Sequence, residues 1–179
     1  MTMYTRKFQE YFGDMLTAAA AYIRTNEDLS AATPITFTLD AQPDVPRTLT
    51  WAFDSHAQIT EFDLEFIGVN AKGETVTETF DEGDGWSGET SNAFATITSI
   101  KLLTRTGTGV GDTMDIGIGS KVGLANAIIA TSDVFKIKKN NAHMDSGDYT
   151  VEATYHTVDL STGGAIVGGD DFAIWYKAL

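Results

Sequence analysis

The chain is poor in the residues that most often mark catalytic or metal-binding proteins. Its 179 residues include no cysteine and three histidines. The lack of cysteine excludes disulfide bonds, thiolate metal sites and cysteine nucleophiles. His56, His143 and His156 lie far apart in the sequence, and no HExxH zinc motif or GxSxG nucleophile motif is present. The sequence therefore predicts no enzymatic activity, no catalytic residues, no metal site and no cofactor.

Positive charge and long apolar runs are scarce as well. Twelve Lys and Arg face 25 Asp and Glu, which gives a net charge of −13. Nucleic acids and anionic membranes are bound through basic patches, so we expect neither as a partner. No apolar run approaches the about 18 residues of a membrane span, and Glu10 and Asp14 interrupt any apolar stretch near the start. The sequence predicts a protein made in the cytoplasm.

The acids are spread unevenly along the chain. Residues 54–89 contain ten acids and Lys72 as their one cation, whereas the first eight residues contain Arg6, Lys7 and no acid. We expect an acidic outer surface with a small cationic region near the N-terminus.

Apolar residues near the N-terminus follow the spacing of an amphipathic helix. Ala18–Ala21 are strong helix formers, while Gly13 weakens a helix by about 1 kcal/mol relative to alanine. The pattern predicts a helix over about residues 5–25, within an N-terminal arm that covers residues 1–33. The apolar stripe consists of Phe8, Tyr11, Phe12, Met15, Leu16, Ala19, Tyr22 and Ile23.

After Pro34 the apolar residues alternate with polar ones, as in strands with one wet face. In the segment that begins at Ile59, for example, Phe62, Leu64 and Phe66 alternate with acids. The chain shows no alternation of strands with helices, so a parallel-sheet enzyme fold is not expected. The sequence predicts an all-β, mainly antiparallel body over residues 34–179, either a β-sandwich or jelly-roll-like, after the N-terminal helical arm. Predicted strands are Ile35–Leu39, Arg47–Phe53, Ile59–Val69, Thr75–Phe80, Ala95–Thr104, Thr113–Ile118, Val134–Lys138, Tyr149–Val158 and Phe172–Leu179.

Two loops resemble ligand-binding motifs, and each has a plainer interpretation. GTGVGD (Gly107–Asp112) lacks the Gly-Lys-Ser/Thr of a phosphate loop and precedes a strand, so it predicts a turn. The acidic segment 81–89 lacks the alternating ligands of an EF-hand, which favours a solvated hairpin tip and leaves calcium binding open. Trp86 lies in this tip, and its exposure would indicate a recognition surface.

PDVPR (Pro43–Arg47) places two prolines around Asp-Val. Proline lacks an N–H and biases the preceding residue toward extended backbone. The segment therefore predicts a stiff lead-in that delivers Arg47 into the next strand.

Four segments together resemble a group of auxiliary virion proteins of tailed bacteriophages, of the capsid decoration or cement type. They are DVPR (Asp44–Arg47), GVNAKGETVTETF (Gly68–Phe80), AFATITSIKLL (Ala93–Leu103) and GTGVGDTMDIGIGSKVGL (Gly107–Leu124). The similarity covers about residues 40–125.

The resemblance implies a β-rich, often trimeric body that binds the outside of an assembled phage head. Its partner would be the lattice of the major capsid protein, and its location the virion, after synthesis in the host cytoplasm. We expect contact with that lattice through the N-terminal arm. The expected partner-binding residues are Tyr4, Arg6, Lys7, Phe8, Tyr11 and Phe12. Two alternatives stay open: a tail, neck or fibre component, and a carbohydrate-binding module with coplanar exposed aromatic rings.

Overall fold

The computed structural model describes residues 6–178, and all strand pairs among them are antiparallel. Single 3₁₀ turns lie at Glu82–Asp84 and Thr131–Asp133. The predicted all-β, antiparallel class is confirmed. The strands are β1 (Arg6–Met15), β2 (Ala19–Asp28), β3 (Ile35–Thr36), β4 (Arg47–Ser55), β5 (Ile59–Val69), β6 (Thr75–Asp81), β7 (Ser87–Glu89), β8 (Thr96–Gly107), β9 (Thr113–Gly123), β10 (Val134–Lys139), β11 (Ala142–Met144), β12 (Thr150–Glu152), β13 (Thr157–Asp159) and β14 (Asp170–Ala178).

The predicted N-terminal helix over residues 5–25 is wrong, because residues 6–28 form β1 and β2. The same apolar residues also fit a period of two, since Phe8 and Phe12 lie on one side of β1 and Tyr11 on the other. A bulge with Asp14 in the left-handed region brings Met15 back to the buried side. Helix propensity of the alanine run is a weak preference, and pairing of β2 with β9 overrides it.

The strands form three sheets. The terminal sheet has the order β1-β14-β10-β11, so it joins the two ends of the described chain. The central sheet has the order β12-β13-β9-β4-β7, with β2 also paired to β9. The lateral sheet has the order β3-β8-β5-β6. Asn70–Gly73 closes the β5–β6 hairpin with Gly73 at φ +81°, which confirms the predicted turn.

Two hydrophobic clusters hold the sheets together, and β9 contributes to both. The first cluster lies between the central and lateral sheets and contains Trp51, Phe62 and Phe66. The second cluster lies under the terminal sheet and contains Phe12, Phe172 and Tyr176. Because β2 supplies Ile23 to the first cluster and β1 supplies Phe12 to the second, both N-terminal strands belong to the packed core.

PDVPR lies where the two clusters meet. β4 begins at Arg47, as the prolines predict, and the Arg47 side chain is completely buried. Its guanidinium donates to the carbonyl oxygens of Gly119 on β9 and Leu16 in the β1–β2 connection, at 2.8 Å and 2.7 Å. It also pairs with Asp44 at 3.2 Å, and the Asp44 carboxylate accepts from the Leu16 N–H at 2.7 Å. The segment thus joins three parts of the chain.

The predicted strand over Tyr149–Val158 is wrong in its middle. A turn separates β12 from β13, and His156 within it has a left-handed backbone with φ +55°. His156 is half-buried, and burial lowers the pKa of its imidazole. Separately, none of the helical turns in residues 6–178 is long and apolar enough to cross a membrane.

Candidate functional site: a cationic–aromatic sheet face

The outward side of the terminal sheet carries the most distinctive surface of the described chain. In β14, Phe172, Ile174 and Tyr176 are buried, so the alternation places Trp175 and Lys177 outward. In β10, Ile137 is buried, and Lys136 and Lys138 flank it on the outward side. The register sets each outward side chain beside another from a neighbouring strand.

Four lysines and three aromatic rings occupy this outward side. Lys7 of β1 lies opposite Lys177, and Lys136 of β10 lies opposite Trp175. A bulge between Val134 and Lys136 also leaves Phe135 exposed. We call this surface the cationic–aromatic face. It is formed by Lys7, Tyr11, Phe135, Lys136, Lys138, Trp175 and Lys177.

Ammonium groups and rings are interleaved on the face. The Lys136 ammonium lies 4.7 Å from the centre of the Trp175 ring, and the Lys7 ammonium lies 5.9 Å from that of Phe135. Such cation–π contacts hold the lysines against apolar surface while their charge stays available to an anionic group. Tyr11 adds a ring that is 65% exposed. The arrangement combines positive charge with rigid apolar area, which favours protein recognition.

The four lysines of this face are among the cations that form no ion pair in the described chain, as are Arg6 and Lys101. Lys7, Lys136, Lys138 and Lys177 make no ion pair within residues 6–178. Most other cations are neutralised or hydrogen-bonded locally. These are Arg24 with Glu27 and Asp40, Arg47 with Asp44, Lys72 with Glu74, Arg105 with backbone carbonyls, Lys121 with Glu89, and Lys139 with Asp170.

The charge of the sheet changes sign along the strands. At the far end of β1, Asp171 accepts from the Asp14 N–H at 3.0 Å. A hydrogen bond to the Asp171 carboxylate raises the pKa of the Tyr11 hydroxyl. The positive potential is therefore concentrated at the end of the sheet that carries Lys7, Lys177 and Lys136.

A partly buried polar contact fixes the core side of β1, beneath this face. The Tyr176 hydroxyl donates to the Glu10 carboxylate, which also accepts from the Ala125 N–H at 2.8 Å. Burial raises the pKa of the Glu10 carboxyl, and these two hydrogen bonds partly oppose the rise. The Phe8 ring stacks on Tyr176 at 5.7 Å between centres. Together these contacts set the position of Lys7 and Tyr11 on the outward side.

The structure divides the six expected partner-binding residues. Tyr4 lies outside the described residues. Arg6, Lys7 and Tyr11 are exposed, whereas Phe12 is buried and Phe8 is half-buried on the core side of β1. Sequence reasoning missed Phe135, Lys136, Lys138, Trp175 and Lys177. The signal for them was the alternation of Lys136 and Lys138 around Ile137, together with the Trp-Tyr-Lys ending of β14.

The other motifs have structural roles in the described chain. Asp81 and Asp84 cap the 3₁₀ turn, since the Asp81 carboxylate accepts from Gly83 and that of Asp84 from Asp81. Residues 6–178 contain no group of three or more acids or histidines placed to hold a metal ion. One face of Trp86 is covered by the His56 ring, 3.8 Å away and nearly parallel.

A groove of about 530 Å³ crosses the outer side of the central sheet. Small residues line much of it, including Ala18–Ala20, Gly88 and Gly119. They offer contact area but no converging set of charged groups.

No protein-family model, curated protein or solved structure matches the chain. The likeness of residues 40–125 to auxiliary virion proteins therefore stays a prediction.

Proposed function

We propose that this chain is a structural protein of a phage virion, of the capsid decoration or cement type, and that the cationic–aromatic face is its assembly surface. The observation that carries the proposal is this face, because it gathers unpaired lysines and exposed rings on a protein whose net charge is −13. Complementary charge steers association and fixes register, while buried aromatic side chains supply much of the affinity.

The fold suits this role. The central and lateral sheets pack on the first cluster, and long paired strands such as β5 and β8 give a rigid platform. Many copies on a repetitive lattice gain avidity, and a protein that binds the assembled state stabilises it by mass action. Expected partners are the lattice of the major capsid protein and further copies of this chain, in a trimer.

Localisation in the virion tests the proposal. Particles of the phage that encodes the chain, carrying a C-terminal tag, are labelled with gold and imaged by negative stain. We expect label at regular intervals over the head surface. Label confined to the tail or neck would support the alternative tail, neck or fibre role, and particles without label would contradict a virion role altogether.

A carbohydrate-binding module remains the alternative from another class. The geometry gives it no coplanar platform around Trp86, since His56 covers that ring. On the terminal sheet, Trp175 has the Lys136 ammonium above its ring. Glycan-array binding by the wild-type protein would favour this alternative.

A further inference from the structure

The outer side of the lateral sheet is the electrostatic counterpart of the cationic–aromatic face. In β5, Phe62, Leu64 and Phe66 are buried, so Glu61, Asp63 and Glu65 point outward. The neighbouring strand β6 adds Asp81, directly opposite Asp63. We call the outward side of β5 and β6, with the turn that follows, the acidic face. It is formed by Glu61, Asp63, Glu65, Asp81, Glu82 and Asp84.

Most of the negative charge of the acidic face has no neutralising cation among the described residues. Lys101 lies opposite Glu65, and the Arg105 side chain donates to the carbonyl oxygens of Leu29, Ser30 and Ala31. The carboxylates of Glu61 and Asp63 accept from threonine hydroxyls of β8, which leaves their charge in place.

The acidic face is also concave at one end. A groove of about 290 Å³ is lined by the four acids Glu61, Asp63, Asp81 and Glu82 and by one cation, Arg105, together with Phe62 and two threonines. Opposed like charges, as at Asp63 and Asp81, destabilise a sheet unless a cation approaches from outside. Its acids outnumber its one cation, so the groove keeps a net negative charge that suits approaching lysine side chains.

We propose that the cationic–aromatic face of one copy binds the acidic face of a second copy, so that the chain associates head to tail. This inference rests on the proposed function, because it names the partner that binds the cationic–aromatic face. The unpaired charge is mainly positive on one surface and mainly negative on the other, so their contact offsets charge on both. A second copy is the one partner whose surface the structure itself supplies.

Head-to-tail contact has a consequence for the size of the assembly. The two faces are different surfaces of one chain. Each copy can therefore bind one neighbour through its cationic–aromatic face and another through its acidic face. Repetition of such a contact closes into a ring when the rotation permits. The trimer expected for decoration-type proteins is one such ring, and a surface outside the two paired faces would then meet the capsid lattice.

Charge reversal on each face, followed by a swap, tests the contact. Mass photometry and sedimentation measure the oligomer for wild type, for Lys136→Glu with Lys138→Glu, for Glu61→Lys with Asp63→Lys, and for the chain that carries all four changes. We expect either double variant to weaken association by about tenfold or more, and the fourfold variant to restore it. Lys72→Glu makes the same kind of lysine-to-glutamate change on the β5–β6 turn, outside both faces. It serves as the matched control and is expected to keep the wild-type mass.

Salt provides a second readout. Raising the ionic strength from about 0.1 M to about 1 M shortens the Debye length from about 10 Å to about 3 Å, and should shift wild type toward monomer. Circular dichroism confirms that every variant is folded. A wild type that is monomeric at low salt, an oligomer that both double variants leave intact, or a fourfold variant that stays dissociated would each overturn the proposal.

The two proposals fail in different ways. Monomeric protein that still labels phage heads would refute head-to-tail association and keep the virion role. If the double variants dissociate, the fourfold variant reassociates and the protein is missing from virions, head-to-tail association stands and the virion role is refuted.

Discussion

Removal of the Asp44 carboxylate leaves the buried guanidinium of Arg47 without its counter-charge. The Arg47 side chain is 0% exposed, and burial lowers the pKa of its guanidinium, which the negative charge of Asp44 opposes. Breaking a buried ion pair from one side costs about 3–5 kcal/mol. We expect Asp44→Ala to lower the free energy of unfolding by about that amount. The substitution also removes the acceptor of the Leu16 N–H, which adds to the loss.

Replacement of the other partner has a different cost. Arg47→Met removes the charge but leaves the carbonyl oxygens of Gly119 and Leu16 without their donor, at about 1–3 kcal/mol each. In the chain that carries both changes, no unpaired guanidinium remains. The double variant should therefore be destabilised by at least about 2 kcal/mol less than the sum of the single variants.

Urea unfolding followed by tryptophan fluorescence and circular dichroism measures all three variants. Asp40→Ala is the matched control, because Asp40 pairs at 3.3 Å with Arg24 but is 55% exposed, and surface pairs contribute about 1 kcal/mol or less. An Asp44→Ala cost below about 1 kcal/mol, or single costs that add within about 0.5 kcal/mol, would refute the role assigned to this junction.

Two further predictions concern buried or strained positions. Because burial raises the Glu10 pKa above its usual 4.5, ionisation of Glu10 disfavours the folded state, and this penalty appears as pH rises through and above that value. The melting temperature of Glu10→Gln minus that of wild type should therefore increase as pH rises from about 4 to about 7. Exposed Glu152→Gln serves as the control. A difference in melting temperature that does not change with pH would contradict this prediction. Gly109 and Gly111 have φ of +64° and +79°, but only at Gly109 would a Cβ meet the carbonyl oxygen of Leu29. Gly111→Ala should cost about 1 kcal/mol and Gly109→Ala at least twice that, and equal costs in urea unfolding would show that the steric argument is wrong.

The sequence predicted the strands best where alternation and turn chemistry agree. β5 and β6 show this, since buried rings alternate with acids and Asn70–Gly73 supplies the turn. It failed where one set of residues fits two periods. Phe8 and Phe12 lie four residues apart, which suits both one side of a helix and one side of a strand. The deciding factor was the pairing of β1 with β14, more than 150 residues away, which no local pattern reveals.

The candidate site was predictable only in part for the same reason. Lys7 and Tyr11 were identified from local composition. Their neighbours Lys136 and Trp175 come from strands near the other end of the chain, and the register of the terminal sheet alone brings them together. The charge pattern of each strand was readable, but the sheet order that makes one cationic face from three strands was not.

The most direct test of the account is zero-length carbodiimide cross-linking of an equal mixture of ¹⁴N- and ¹⁵N-labelled protein, read by mass spectrometry. We expect mixed-isotope peptides that join Lys136 or Lys138 of one copy to Glu61 or Asp63 of another. Cross-links confined to single-isotope peptides, or mixed links that avoid the cationic–aromatic face, would contradict it.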